Sequence, residues 1–298
     1  MTASRAVPGD EGGATPDVAQ KPGQGVPAYT RWVNRRLARV VAGGGARRGW
    51  TPNGVTALSA TFSAAGMALL VLATPSLPVA VGVAVALATG YLLDSADGQL
   101  ARLRGMSSRA GEWMDHVVDA FRSPAIHLCV AVAVVVHRPQ WQWLALVALV
   151  HALVTGGQFM SQILAESMVR SAGGTPSRGG DLRSWVLLPT DPGVLCWSFL
   201  LWGAELPFAV MYCALGAAAV AHAGVSLGRR YRDLRALDAP EARRDTTPDP
   251  TPVGEARASA STRTPSPQAD GPPGTAQVGQ RPQPGSARSR DAGGGGDA

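Results

Sequence analysis

Four aspartates stand in two closely spaced pairs beside long apolar runs of the chain: Asp94 with Asp97, and Asp115 with Asp119. Spacings of three and four residues place both members of a pair on one helix face, one turn apart. A short polar turn, RGMSSR, lies between the pairs. Two antiparallel helices joined by this turn would bring all four carboxylates face to face.

Carboxylates at such close range repel one another and resist transfer out of water. Divalent cations relieve this repulsion, and ligand sets made only of oxygen suit Mg²⁺, Mn²⁺ or Ca²⁺ better than Zn²⁺. Two ions about 3.5–4 Å apart are the usual device for displacement at phosphorus. We therefore predict that the aspartates hold two ions, Mg²⁺ or Mn²⁺, for a phosphorylated substrate.

Small residues and one arginine accompany the aspartates. Gly98, Ala101 and Gly111 lie on or near the carboxylate face, where they would let a flat ligand approach the backbone. Arg102 is placed to meet a phosphate.

Long apolar runs must position these residues, and a helix needs roughly 20 mostly apolar residues to cross a membrane. Five runs qualify, at residues 55–74, 77–93, 120–136, 143–163 and 208–227. A further run, GVLCWSFLLWGAEL, is short, and we expect its helix to begin near Ser184 and to break at PTDPG, near the cytosolic side. The fold class predicted is all-α, a polytopic membrane protein with six transmembrane helices.

Arginine placement predicts the orientation of these spans. With the N-terminus inside, nearly all arginines fall in inner segments, and Arg138 is the single exception. Both termini and the aspartates then face the cytosol, at the cell membrane. Before the first span, residues 27–41 have apolar side chains at helical spacing and Arg31, Arg35 and Arg39 on another face. This pattern predicts an amphipathic helix in the membrane interface.

Composition divides the 298 residues into four parts. Residues 49–235 form the predicted six-helix domain, and residues 27–48 its interfacial helix and linker. Residues 1–26 and the Pro/Gly/Arg-rich tail 236–298 hold few large apolar side chains, which predicts disorder. The net charge of +6 would suit nucleic acid or an anionic membrane surface. The apolar runs favour the membrane, and we expect no nucleic-acid partner.

Cysteine and histidine do not supply a competing site. Cys129, Cys196 and Cys213 lie far apart, and an odd number without CxxC spacing argues against a disulfide framework or a zinc site. His127, His137 and His151 lack acidic or cysteine partners at useful spacing, so we expect helix-packing or interface contacts for them.

The aspartate segment closely resembles a family signature. DSADGQLARLRGMSSRAGEWMDHVVD matches D-x2-D-G-x2-A-R-x8-G-x3-D-x3-D at every fixed position, which is the motif of the CDP-alcohol phosphatidyltransferases. The resemblance extends over roughly residues 27–235. It implies a membrane enzyme of phospholipid biosynthesis, commonly a homodimer, in which the hydroxyl of an acceptor alcohol displaces CMP from a CDP-alcohol, usually CDP-diacylglycerol.

The resemblance also implies roles for the four aspartates. Asp94, Asp97 and Asp115 would hold the metal pair that bridges the diphosphate. Asp119 would be the general base that takes the proton of the acceptor hydroxyl, while also lying near a metal.

For the nucleotide, the resemblance implies that Gly98, Ala101 and Gly111 pack against the cytidine. Asn53 and Thr56, in TPNGVT at the start of the first span, match another position that the family often uses near the nucleotide. The alternative for these two is an ordinary signal for a helix N-terminus.

The acceptor alcohol is left open. Arg122, Arg178 and Arg183 are candidates for binding an acceptor phosphate, and the alternative is arginines that follow the positive-inside rule without a ligand. Where relatives that use inositol phosphate carry a basic SYxKAR-like stretch, this chain has SQILAES, which weakens that assignment and makes glycerol phosphate less secure. Asp191, in LPTDPG, is a candidate if it lies at membrane depth; otherwise it is a turn residue.

Two other classes share some of these features. Membrane prenyltransferases hold Mg²⁺ and a diphosphate with aspartates, but in two separated motifs, whereas this chain has one contiguous motif. A non-enzymatic cation transporter would explain the carboxylates but not Gly98, Ala101, Arg102 and Gly111 at fixed gaps.

Overall fold

The computed structural model describes residues 26–173 and 181–238. Within those residues the regular structure is helical throughout, in agreement with the predicted all-α class. The helices are α1 (Arg35–Arg47), preceded by a π-helical turn (Thr30–Asn34), α2 (Pro52–Leu72), α3 (Leu77–Leu103), α4 (Arg109–His137), α5 (Trp143–Ser171), α6 (Asp181–Val186), α7 (Pro192–Ser198) and α8 (Glu205–Asp238). Three 3₁₀ turns lie at Pro139–Trp141, Leu188–Thr190 and Phe199–Gly203. The first three residues of the tail predicted to be disordered, 236–238, belong to α8, so the prediction is wrong for them. The rest of that tail, nearly all of the N-terminal segment predicted to be disordered, and Arg178 lie outside the described residues.

Five helices of the described ranges, α2, α3, α4, α5 and α8, are long and apolar enough to cross a membrane. Their outward side chains are largely apolar, as shown by Leu153 and Val225, which are 77% and 74% exposed. Lipid rather than water suits such a surface. The protein is therefore a polytopic membrane protein, as predicted.

The segment predicted to form the sixth span is not one continuous helix. α6 ends at Val186, and the 3₁₀ turn Leu188–Thr190 separates it from a shorter apolar helix, Pro192–Gly203. The interruption falls within the PTDPG region where the sequence predicted a break. Pro192 at the first position of α7 cannot donate a backbone hydrogen bond, so a helix starts there at no loss.

A tight turn joins α3 to α4 and sets them antiparallel. Gly105 has φ +62°, the left-handed conformation that glycine adopts without strain. Its N–H donates to the carbonyl of Arg102 at 3.3 Å, and the N–H of Met106 donates to Ala101 at 2.8 Å. These two bonds form a Schellman motif. Ser108 then caps the start of α4. We call this end of the helix bundle the aspartate end.

Small residues let α2 and α3 approach closely. A Cβ on Gly90 would overlap the Oγ of Ser63 and would lie 3.0 Å from the carbonyl oxygen of Ser59. The Oγ of Ser59 donates to the carbonyl of Gly90 at 2.8 Å. Because the helices are antiparallel, this register places Thr56 of α2 opposite Asp97 of α3.

Arg138, the exception to the predicted arginine pattern, lies at the opposite end of the bundle. Arg138 is buried, and its guanidinium pairs with Glu205 at 2.9 Å. It also donates to the carbonyl of Trp202 and lies 5.0 Å from the centre of that ring. Its charge is thus satisfied by the protein, although it lies at the end where the sequence predicts few arginines.

The contact at Gly90 predicts a specific stability effect. Gly90→Ala should lower the midpoint of thermal unfolding, because overpacking a close helix contact costs about 1–3 kcal/mol. Gly157→Ala is the matched control, since a Cβ there meets nothing within 4 Å. That control should leave the midpoint unchanged or raise it slightly, because alanine is the better helix former. Equal midpoints for both variants in detergent would contradict the proposed packing.

Candidate active site

Three carboxylates meet at the aspartate end of the bundle. One oxygen from each of Asp94, Asp97 and Asp115 lies within 4.8 Å of the other two. α3 supplies the first two, one turn apart near its C-terminus, and α4 supplies the third from its second turn. The α3–α4 turn therefore brings together three of the four predicted carboxylates as a group.

Asp97 is the most constrained of the three. It is 4% exposed. The Oγ1 of Thr56 donates to its Oδ2 at 2.5 Å, and the N–H of Gly98 donates to its Oδ1. Thr56, predicted to lie near a nucleotide, here orients a carboxylate of the cluster.

Asp119 lies beside the cluster and is joined to it by Arg122. One guanidinium nitrogen of Arg122 contacts Oδ1 of Asp119 and lies 3.0 Å from Oδ2 of Asp94. The other terminal nitrogen donates to the Oγ of Ser59 at 3.1 Å. Arg122 was predicted as a ligand for an acceptor phosphate, but in this structure two aspartates occupy its guanidinium.

The carboxylate group fits a hard divalent cation. Oδ1 of Asp94 is buried and has no hydrogen-bond partner. Buried polar atoms are nearly always paired, so an orphaned carboxylate oxygen indicates a missing ligand. The donor set consists of carboxylate oxygens, which Mg²⁺ and Mn²⁺ prefer. The residues present therefore match the predicted metal.

A cavity of about 120 Å³ opens onto the carboxylates. Its lining includes the predicted residues Gly98 and Arg102, as well as Arg35, which the sequence did not assign to the site. The complete lining is Arg35, Asp94, Ser95, Asp97, Gly98, Gln99, Arg102 and Asp115. The only signal for Arg35 in the sequence was its place in the arginine ladder, which Arg31 and Arg39 share.

The other residues predicted to contact the nucleotide are Asn53, Ala101 and Gly111. A Cβ on Gly111 would lie 3.7 Å from Oδ1 of Asn53, so these two predicted residues are neighbours. Ala101 is partly buried, and its carbonyl closes the Schellman turn. A Cβ on Gly98 would lie 3.4 Å from Nη1 of Arg102, so the guanidinium of Arg102 packs over this glycine.

Asp191 has a structural role in the fold. Its Oδ2 accepts the N–H of Thr30 at 2.7 Å, and its Oδ1 accepts the Thr30 hydroxyl at 2.8 Å and the N–H of Gly193 at 2.9 Å. The Thr30 hydroxyl also lies 2.6 Å from that of Tyr91. These contacts favour the turn-residue alternative over acceptor binding.

Arg183 lies on α6 with a second arginine in electrostatic range. Its pKa is lowered first by burial and then by repulsion from Arg229 of α8. Two guanidinium groups that repel each other make a favourable place for an anion. Acceptor binding by Arg183 stays a prediction.

His127 and His151 pack in the core, as predicted. The rings of His127 and His151 are stacked with centroids 3.7 Å apart, and Nδ1 of His127 lies 2.8 Å from the hydroxyl of Tyr212. The three cysteines are free thiols.

Comparison with known protein families matches residues 50–224 to the family described as CDP-alcohol phosphatidyltransferase. A search of curated proteins finds no match. The matched segment covers more than half of the chain, includes all four aspartates, and begins after α1.

The contacts of Arg122 lead to a prediction about stability and cations. Arg122→Met should lower the unfolding midpoint without added metal, because removing one partner of a buried ion pair costs about 3–5 kcal/mol. Divalent cations should then stabilise the variant more than the wild type, since Asp94 and Asp119 have lost their counter-charge.

The measurement is the unfolding midpoint in detergent with and without MnCl₂. The control is Arg232→Met, at an exposed arginine of α8, which should behave like the wild type. An Arg122→Met variant as stable as that control without metal would show that the ion pairs contribute little.

Proposed function

The chain belongs to the CDP-alcohol phosphatidyltransferase family, and we propose that it transfers a phosphatidyl group from CDP-diacylglycerol to the hydroxyl of an acceptor alcohol, releasing CMP. The observation that carries the proposal is the group formed by Asp94, Asp97 and Asp115 at the end of a membrane helix bundle. The group lies within the segment that the family match covers.

Asp94, Asp97 and Asp115 are the residues that would hold divalent cations, Mg²⁺ or Mn²⁺. The unpaired Oδ1 of Asp94 supports this assignment. Cations bound there would neutralise the diphosphate and the charge that develops on the departing CMP. Thr56 and the N–H of Gly98 orient Asp97, so the protein fixes this ligand in advance.

Asp119 is the proposed general base. It accepts the proton of the acceptor hydroxyl while that oxygen forms a bond to the phosphorus that carries the lipid alcohol. The bond from this phosphorus to the oxygen of CMP breaks, and CMP leaves with the electron pair. Arg122 contacts Oδ1 of Asp119 and Oδ2 of Asp94, and so holds the base next to the carboxylate group.

The donor nucleotide is proposed to bind along the small residues of the motif. Gly98 lines the cavity beside the carboxylates, and its lack of a side chain would let a flat base approach the backbone. Gly111 and Asn53 are neighbours and extend this surface, with Ala101 on the same helix as Gly98. Arg102 lines the cavity and supplies a guanidinium for a phosphate.

The position of the site suits a lipid substrate. A lipid diphosphate keeps its head group in water and its acyl chains in the bilayer, and the end of a membrane bundle reaches both. We propose that the aspartate end faces the cytosol at the cell membrane, because arginines concentrate there. The predicted homodimer stays a prediction.

An anionic acceptor is favoured by the arginines of α6 and α8. Arg183 and Arg229 concentrate positive charge, which suits an alcohol that also carries phosphate. A panel of acceptor alcohols, with and without phosphate, identifies the substrate.

The function is tested by CMP release from CDP-diacylglycerol in detergent, with the product mass read for each acceptor of the panel. Wild-type protein should release CMP only with Mg²⁺ or Mn²⁺. Asp119→Asn should lower turnover by about 10²–10⁴-fold, the usual contribution of a general base, while CDP-diacylglycerol still binds. Asp233→Asn, at an exposed carboxylate of α8, is the control and should keep full activity.

Two results would count against this account. Full activity in Asp119→Asn would remove the base assignment. Cation flux through liposomes without any CMP release would favour the transporter alternative.

A further inference from the structure

α1 lies outside the segment that matches the family, yet it packs tightly on α3, the helix that carries Asp94 and Asp97. The match begins at residue 50, and α1 ends at Arg47. Ala38 and Ala42 of α1 are 0% and 1% exposed, and they share a core cluster with Leu93 and Leu100 of α3. Alanines at this spacing let α1 approach the end of α3 closely.

Two hydrogen bonds fix the register of α1 beside the carboxylates. Nδ2 of Asn34 donates to the Oγ of Ser95 at 2.6 Å, and Nε2 of Gln99 donates to the carbonyl of Arg35 at 3.2 Å. Asn34 and Gln99 are buried. Since Ser95 and Gln99 flank Asp97 in α3, these bonds hold the backbone of Arg35 alongside the carboxylate group.

The side chain of Arg35 lines the cavity that Asp94, Asp97 and Asp115 also line. Burial lowers the pKa of its guanidinium, Tyr91 opposes this shift, and Arg31 adds repulsion. Arginine remains charged under such shifts. Arg35 thus brings a positive charge, from a separate helix, to a cavity whose other lining residues all belong to α3 and α4.

We propose that Arg35 binds the diphosphate of the CDP-alcohol, so that α1 forms part of the donor site. This inference rests on the proposed function. A nucleoside diphosphate diester carries two negative charges, and guanidinium groups bind phosphate oxygens in a bidentate manner. Arg102 of α3 and Arg35 of α1 would contact the diphosphate from two different helices.

Attraction to anionic lipid is the alternative explanation for an arginine on this helix. Arginines near an anionic membrane surface are attracted to it. Arg36, the next residue, is exposed on the same helix and serves that purpose equally well. The two explanations therefore differ in what they expect of neighbouring arginines.

The test compares Arg35→Gln with Arg36→Gln, which removes the same charge from the same helix. Arg35→Gln should raise the KM for CDP-diacylglycerol about 10–100-fold, because a hydrogen bond to a charged group contributes about 1.5–3 kcal/mol. Its kcat at saturating donor should change far less. Arg36→Gln should match the wild type, and Arg35→Lys should recover part of the loss.

Binding is measured separately from turnover by titrating CDP-diacylglycerol into the Asp119→Asn protein with and without Arg35→Gln. Weaker binding in the double variant is expected. Equal KM values for Arg35→Gln and Arg36→Gln, or equal donor affinities in the titration, would overturn the proposal. If Arg35→Gln does not fold, Arg35→Lys is used in its place. A KM for CDP-diacylglycerol equal to the wild-type value in Arg35→Lys would then overturn the proposal.

The two proposals fail in different ways. Wild-type protein that binds CDP-diacylglycerol but releases no CMP would remove the proposed function, while the titration would still decide the role of Arg35. If the wild-type protein releases CMP and Arg35→Gln leaves the KM unchanged, only the proposed role of Arg35 is removed.

Discussion

Repulsion between carboxylates at the end of an apolar helix pair is the constraint on which this structure depends. α3 and α4 bring Asp94, Asp97 and Asp115 within 4.8 Å of one another, where like charges are costly outside bulk water. Within the protein, Arg122 offsets part of this charge by contacting Asp94 and Asp119. The unpaired Oδ1 of Asp94 shows that the compensation is incomplete. Unsatisfied negative charge attracts cations, which is why the proposed function assigns divalent cations to these carboxylates.

The rest of the fold holds this strained arrangement in place. Close packing at Gly90 fixes the register of α2 against α3, and in this register Thr56 donates a hydrogen bond to Asp97. The Schellman turn at Gly105 places the start of α4 beside the end of α3. Asp191 ties the N-terminal segment to α7, where it accepts two hydrogen bonds from Thr30. The turn at Gly105 lies at the aspartate end, and the contacts of Gly90 and Asp191 fix the helices that reach it, so the packing of the bundle supports the site.

Periodicity and spacing predicted the features that depend on local sequence. The helical class, the interruption near Asp191 and the meeting of Asp94, Asp97 and Asp115 follow from hydrophobic runs, turn residues and spacing along a helix. Pairings between distant residues did not follow. Thr30 and Asp191 are 161 residues apart, and the contact of Arg122 with Asp94 depends on how α3 and α4 are rotated about their axes. The place of Arg35 in the site could not be predicted, because it depends on how α1 packs on α3, and no local sequence pattern encodes that packing.

Asp94, Asp97 and Asp115 are proposed to form a cation site, and anomalous scattering from Mn²⁺ would locate a bound ion directly. Crystals of the protein grown with MnCl₂ would be measured near the manganese absorption edge. We expect a strong anomalous peak within coordination distance of carboxylate oxygens from Asp94, Asp97 and Asp115. A peak elsewhere in the bundle with none at these three aspartates would contradict it.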